Sequence, residues 1–164
     1  VAVTGVQTCA LPIFDIEVDF DPEKGFSRPD DPFNPVNAIS LYFTWLDKLV
    51  TLAIPPKGMS RETAEEIAAR HSDCFIFDDE ETLLDTFLNL IDDGDILSGW
   101  NSEGFDIPYL VMRIKRVMSK DDTRRFCLWN QFPVERTFER YGASQITFDL
   151  VGRVHMDYMQ LYRK

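Results

Sequence analysis

The chain has 164 residues, of which 45% are hydrophobic and 13% aromatic, and its formal net charge is −11. This composition excludes an intrinsically disordered chain, and the length suffices for one domain with a substantial core. No apolar run approaches the roughly 20 residues that cross a membrane. The acidic surplus lies in residues 14–110, whereas residues 111–140 are net basic. Such a charge disfavours nonspecific nucleic-acid binding, but it permits binding where metal ions supply positive charge.

The first thirteen residues are predicted to be foreign to the protein. Residues 3–13 read VTGVQTCALPI, which resembles the in-frame translation of a sequencing-library adapter. Residues 1–13 also lack the basic start of a signal peptide. We therefore expect the natural sequence to begin near Phe14 and residues 14–164 to form one domain. The apolar residues before Phe14 are nevertheless suited to lengthen a first strand.

The first predicted elements are strands. Residues 14–20, FDIEVDF, alternate apolar and acidic side chains, which is the period of a strand. A loop rich in Pro and Asp follows. Residues 38–45 and 49–54 are apolar, β-branched runs separated by a short polar segment, and they predict a hairpin.

Helical and extended patterns then alternate. The clearest helix lies within residues 78–95, where apolar residues recur at helical spacing, acids fill the first turn and Gly94 follows the end. The other predicted elements are a short helix at 60–71 capped by Ser60, strands at 74–77 and 96–100, a helix at 107–118 with Pro108 near its start, a hairpin turn at 141–145 and a closing strand at 154–159. This order predicts an α/β fold, a ribonuclease-H-like mixed sheet flanked by helices.

Acids stand at two suggestive places. Asp15 and Glu17 are expected to share one face of the first strand, where they repel each other unless a divalent cation such as Mg²⁺ or Mn²⁺ lies between them. The alternative is an edge strand with its polar face in water. Asp106 stands where a strand gives way to a helix, so it is either a ligand or an ordinary N-cap. Asn101 is equally compatible with a plain turn residue, and Phe105 with a plain core residue.

Together these residues resemble the 3′–5′ exonuclease domain of family B DNA polymerases, especially the phage type. FDIEVD, residues 14–19, is similar to the first exonuclease motif, Asp-x-Glu. NSEGFD, residues 101–106, is similar to the second motif, an Asn, a spacer, an aromatic residue and Asp. Residues 140–164 resemble the hairpin and strand that follow in phage-type members. The resemblance covers roughly residues 14–164 and implies a partial exonuclease domain.

The resemblance implies hydrolysis of the terminal phosphodiester at the single-stranded 3′ end of a DNA primer, with release of a nucleoside monophosphate. Two divalent ions, Mg²⁺ or Mn²⁺, would be held by three acids: Asp15 bridging both, Glu17 sharing the water-activating ion, and Asp106 holding the second. Asn101 and Phe105 would position the DNA strand. The partners would be DNA and the rest of a polymerase chain, with no membrane, in the cytoplasm of the host if the gene is viral.

The family's third motif, Tyr-x-x-x-Asp, is not found in the sequence. In the family it lies downstream of the segment that ends here, so we expect a truncated sequence rather than a degenerate site. We expect the fragment to fold in outline, to bind metal weakly and to have little or no activity. The alternative function is a non-catalytic ribonuclease-H-like scaffold or nucleic-acid-binding module of an inactivated polymerase relative.

Other features allow more than one interpretation. The hairpin at 136–150 either helps to part primer from template or is a plain surface hairpin. The basic residues of 113–125 either contact phosphates or form the solvated face of a helix. His155 is expected to be a core or surface residue rather than a ligand. The three cysteines share no metal-ligand spacing, so we expect reduced thiols, as in a cytosolic protein.

Overall fold

The computed structural model describes residues 9–163 except Ser72 and Tyr141. Its elements are, in chain order, β1 Pro12–Val18, β2 Val36–Phe43, β3 Lys48–Ala53, α1 Arg61–Ala68, β4 Cys74–Ile76, α2 Glu80–Leu90, β5 Ile96–Gly99, α3 Asp106–Val117, a 3₁₀ helix Asp121–Phe126, β6 Val134–Arg140, β7 Ala143–Asp149, β8 Val154–Asp157 and α4 Tyr158–Tyr162. None of the described helices has the length and apolarity that a membrane span requires.

A mixed sheet of six strands, in the order β4-β3-β2-β1-β5-β8, forms the centre of the fold. β2 pairs antiparallel with both β1 and β3. The other three pairs are parallel: β4 with β3, β5 with β1, and β8 with β5. The predicted hairpin of β2 and β3 is therefore confirmed. The order also confirms the ribonuclease-H-like α/β plan, in which β1 lies inside the sheet between an antiparallel and a parallel neighbour.

Helix α2 packs against the buried face of β1. The apolar residues predicted for its buried face, Leu83, Leu84, Phe87, Leu88 and Ile91, are all fully buried. The ring of Phe87 packs edge-on against that of Phe14 at a centroid distance of 5.5 Å. Burial of such side chains is the main favourable term in folding. Because Phe14 and Ile16 point into this core, Asp15 and Glu17 project from the opposite face of β1.

A largely buried ion pair joins α2, α3 and the loop after β1. The guanidinium of Arg113 donates to both carboxylate oxygens of Glu80, at 2.7 and 2.8 Å, and also to the carbonyls of Pro32 and Phe33. Glu80 additionally accepts the backbone N–H of Val36 at 2.7 Å. The pair is thus satisfied on both sides, as a buried charge must be.

The remaining arginines of the basic stretch are also engaged within the chain. Arg116 pairs with Asp31, Arg124 with Asp121 and Arg125 with Asp85. These contacts favour the helix-face interpretation of residues 113–125 over phosphate binding, because each guanidinium is already next to a carboxylate.

Several element boundaries differ from the prediction. The closing strand ends at Asp157, and the next residues form α4 because the Asp157 carboxylate caps this helix by accepting the N–H of Met159. Helix α3 begins at Asp106, earlier than expected. Strand β1 begins at Pro12, as the apolar residues before Phe14 suggested. The predicted turn at 141–145 joins β6 to β7, although Tyr141 itself lies outside the described residues.

Candidate active site

A cleft of about 540 Å³ opens near the carboxyl ends of β1 and β5. Crevices at the carboxyl ends of parallel strands are common binding sites in α/β sheets. The residues that line it are Asp15, Ile16, Trp100, Asn101, Gly104, Phe105, Asp106, Gln145, Met159 and Arg163. The fold therefore gathers residues from the first strand, the loop between β5 and α3, the β6–β7 hairpin and the chain end around α4.

Asp15 projects from an interior strand into this cleft. Its side chain is exposed, while Phe14 and Ile16 on either side are buried. The edge-strand alternative for β1 is therefore wrong, because β2 and β5 flank it on both sides. Glu17 shares the exposed face, as its spacing predicted, but it is not among the residues that line the cleft. The β1–β2 register is irregular between Glu17 and Val18.

Asp106 is the first residue of α3 and not its N-cap, so the N-cap alternative is wrong. Its Oδ1 instead accepts the backbone N–H of Ile16 at 3.2 Å, in the neighbouring region of β1. The side chain is only 3% exposed. Burial, and next the negative charge of Asp15, raise the pKa of Asp106 from 3.8 to about 7. A cation placed between these two carboxylates would relieve both effects.

A tight turn carries Asn101 and Phe105 to the rim of the cleft. Asn101 has a φ of 57°, a left-handed conformation that Asn adopts more readily than most residues. Its carbonyl accepts the N–H groups of Gly104 and Phe105, each at 3.0 Å. Phe105 then packs on Tyr109 with a centroid distance of 5.3 Å. Asn101 is thus a turn residue and Phe105 a packing residue, and both also line the cleft.

The donor set fits a divalent cation in part. Asp15 and Asp106 offer carboxylate oxygens, the hard ligands that Mg²⁺ and Mn²⁺ prefer, and they face one cleft. Within the described part of the chain, however, no group of three or more His, Cys, Asp or Glu side chains is gathered closely enough to hold a metal ion. The structure therefore brings Asp15, Asn101, Phe105 and Asp106 together and leaves Glu17 aside.

Sequence reasoning missed a buried acid beneath this cleft. Asp157 is 5% exposed, and its carboxylate accepts the backbone N–H groups of Asn101, Glu103 and Met159. An Asp followed by a helix-compatible segment is a recognisable N-cap signal. Its bonds to Asn101 and Glu103, by contrast, have no local signature, because these residues are more than fifty positions away.

His155 lies two residues before Asp157 and contacts the same turn. Its Nε2 is 2.9 Å from the hydroxyl of Ser102, and burial lowers the pKa of the imidazole. The β6–β7 hairpin reaches the turn as well, since the hydroxyl of Thr147 donates to the carbonyl of Glu103 at 3.0 Å. His155 thus lies partly buried against the Ser102 hydroxyl, where a core or surface residue was expected.

Comparison with known proteins adds information that the geometry alone does not hold. The family model described as DNA polymerase family B, exonuclease domain, matches residues 7–164. A DNA-directed DNA polymerase of Escherichia phage RB69 is 32% identical over 170 residues, covering 92% of this chain and 18% of that protein. One from Enterobacteria phage T4 is 32% identical over 90 residues, covering 54% of this chain and 10% of that protein. The chain spans less than a fifth of the length of these curated relatives.

Proposed function

Because the chain belongs to the exonuclease domains of phage-type family B DNA polymerases, we propose that it is the part of a polymerase that removes nucleotides from the 3′ end of a DNA primer. The reaction is hydrolysis of the terminal phosphodiester, with release of a nucleoside monophosphate. One observation carries the proposal. Asp15 and Asp106, from two motifs far apart in the sequence, line one cleft together with Asn101 and Phe105.

Asp15 and Asp106 would hold divalent metal, Mg²⁺ or Mn²⁺, in this proposal, and Glu17 would join them after a change of its side-chain position. Bound ions supply an activated water and stabilise the leaving 3′ oxygen. The buried Asp106 would be ionised in the metal-bound protein, since the ion compensates for its burial and for the charge of Asp15. Asp15, which is exposed in the cleft, would offer the second carboxylate.

Asn101 and Phe105 would position the single-stranded DNA end. They lie on the turn that leads directly into Asp106 at the start of α3, so the residues proposed to hold the strand are next to a residue proposed to hold metal. Arg163 also lines the cleft and would add a positive charge for a DNA phosphate. We propose that the remainder of a polymerase chain is the partner, and that the protein works in the cytoplasm, of the host if the gene is viral.

The chain itself is proposed to have little or no activity, because the Tyr-x-x-x-Asp motif is not found in its sequence. A second candidate function is a non-catalytic scaffold or nucleic-acid-binding module. The position of Glu17 outside the cleft favours this candidate, since a third carboxylate is then not in place. Metal binding distinguishes the two functions.

Calorimetric titration of Mn²⁺ into the chain tests the proposal. We expect weak, saturable binding that Asp15→Asn abolishes and that Glu17→Gln reduces. The matched control is Glu135→Gln, which removes an exposed acid from strand β6, outside the cleft. Equal Mn²⁺ binding by wild type and Asp15→Asn would refute the proposed metal site and favour the scaffold function.

A second measurement addresses the direction of cleavage. The chain is incubated with Mn²⁺ and single-stranded DNA labelled at either its 3′ or its 5′ end. Little release of label is expected from either substrate. Rapid release of a 3′-terminal mononucleotide would contradict the proposed inactivity while supporting the proposed reaction, whereas rapid release from the 5′ end would contradict the reaction itself.

A further inference from the structure

We propose that Asp157 is a positioning residue for the cleft: its carboxylate holds the turn that presents Asn101, Phe105 and Asp106. This inference rests on the proposed function and adds a residue that lies outside both exonuclease motifs. Asp157 does not line the cleft, so it acts through the turn rather than on metal or DNA.

The contacts of Asp157 are directed at the turn. Oδ1 accepts the N–H of Asn101 at 3.0 Å and that of Met159 at 2.9 Å, and Oδ2 accepts the N–H of Glu103 at 3.1 Å. Hydrogen bonds to an ionised carboxylate are about twice as strong as neutral ones. One side chain thus fixes two alternate backbone positions of the turn and, at the same time, the start of α4.

The sheet places Asp157 where this is possible. β8 pairs parallel to β5, with Asp157 opposite Gly99, so its side chain lies at the point where the chain leaves β5 and begins the turn. Gly99 is tightly enclosed there, because a Cβ at this position would lie 2.7 Å from the carbonyl of Phe14 and 2.9 Å from Cβ of Ser102. The end of β5, from which the turn begins, therefore lies closely enclosed between β1 and β8.

Two further contacts hold the same turn. His155, on β8, meets the hydroxyl of Ser102, and Thr147, on β7, donates to the carbonyl of Glu103. Successive residues of the turn are consequently tied to strands that lie more than forty positions downstream. Arg136 also lies 3.9 Å from the carboxylate of Glu103, but its side chain is half-exposed, whereas the buried carboxylate of Asp157 accepts two backbone N–H groups of the turn. We therefore assign the positioning role to Asp157.

The test compares Asp157→Ala with Asp157→Asn in the whole chain. Both substitutions remove the negative charge, but an Asn oxygen can still accept the N–H groups of Asn101 and Met159. The matched control is Ser98→Ala, which removes a buried hydroxyl that donates to the carbonyl of Met156 at 2.7 Å between β5 and β8 without touching the turn.

Mn²⁺ titration is the first readout. We expect Asp157→Ala to weaken binding by about tenfold or more, as substitutions of residues that orient metal ligands commonly do. Asp157→Asn and Ser98→Ala are expected to stay close to wild type. Equal losses in Asp157→Ala and Asp157→Asn would assign the effect to charge rather than positioning, and an equal loss in Ser98→Ala would assign it to general packing. Either result would overturn the inference.

Amide hydrogen exchange of the metal-free protein is the second readout, and it does not depend on the metal proposal. In Asp157→Ala the amides of Asn101 and Glu103 are expected to exchange about tenfold faster, the factor that one hydrogen bond of typical strength gives. In Asp157→Asn only the amide of Glu103 should exchange faster, because its acceptor Oδ2 is replaced by an NH₂ group. Unchanged exchange in Asp157→Ala would refute the positioning role. Absence of Mn²⁺ binding in wild type, with the expected exchange pattern, would refute the proposed function alone.

Discussion

Substitution of Asp106 by Asn should stabilise the metal-free protein, and by an amount that depends on pH. The pKa of Asp106 is raised from 3.8 to about 7 by burial and by the charge of Asp15. In the unfolded chain this carboxyl ionises near pH 4, whereas in the folded protein it stays protonated until about pH 7. The folded state therefore binds the extra proton, and its stability falls as the pH rises between these two values.

The size of the effect follows from the shift. About three pKa units at 1.36 kcal/mol each amount to about 4 kcal/mol, which wild type loses between pH 4 and pH 7. Asp106→Asn cannot ionise and retains an oxygen for the N–H of Ile16. Its free energy of unfolding should match that of wild type near pH 4, apart from a constant offset, and should exceed it by up to about 4 kcal/mol at pH 8. Urea denaturation with a chelator present, at several pH values, measures this difference.

Asp19→Asn provides a control of opposite sign. A hydrogen bond from the N–H of Phe20, and next the ammonium of Lys57, hold the pKa of Asp19 below its usual range. Its stabilising contribution is present above the pKa of the unfolded chain and is lost as the pH falls, so this variant should lose stability at neutral pH. A wild-type-minus-Asp106→Asn difference that does not change from pH 4 to pH 8 would refute the reasoning about Asp106.

Three further predictions concern stability. Arg113→Met should lower the free energy of unfolding by about 3 kcal/mol in urea denaturation, because Glu80 remains largely buried without its partner, whereas Lys48→Met, at a more exposed pair with Asp73, should lose less than about 1 kcal/mol. Gly99→Ala should lower it by about 1–3 kcal/mol, since the added Cβ meets backbone that cannot retreat; a neutral result would contradict the close approach of β1. Ser60→Ala should lose about 1 kcal/mol with the cap of α1, while Ser144→Ala, at an exposed position of strand β7, serves as the comparison in thermal denaturation.

Much of the sheet and of α2 follows from periodicity alone. In α2 the apolar spacing identifies the buried face correctly, because the apolar residues form one stripe along the helix and that stripe faces the core. In β1 the alternation correctly places Asp15 and Glu17 on one face. Which of the two acids would line a cleft is a different question, since it depends on where the turn after β5 folds over the sheet.

The errors share a physical cause. Asp106 has the local pattern of an N-cap, but its carboxylate accepts the N–H of Ile16, ninety residues away in the sequence. Asp157 stands in an apparent strand, yet it caps α4 and holds the turn at Asn101. In both cases the local pattern around a short polar side chain suggests one set of hydrogen-bond partners, while the folded chain also brings distant partners within reach. Sequence spacing describes only the local set.

The long sequence separations across the cleft also set the order in which it is made during synthesis. The bond between Ile16 and Asp106 spans 90 residues, and the bond between Asn101 and Asp157 spans 56. At about 5–20 residues per second, roughly 7 to 28 seconds pass between synthesis of the first acidic motif and synthesis of β8. During that interval the β2–β3 hairpin and α2 can form, but the turn has only its internal hydrogen bonds and lacks the contacts from Asp157. A nascent chain therefore carries the acids of the first motif well before Asp157 is made, and the contacts that Asp157 makes with the turn can form only after that.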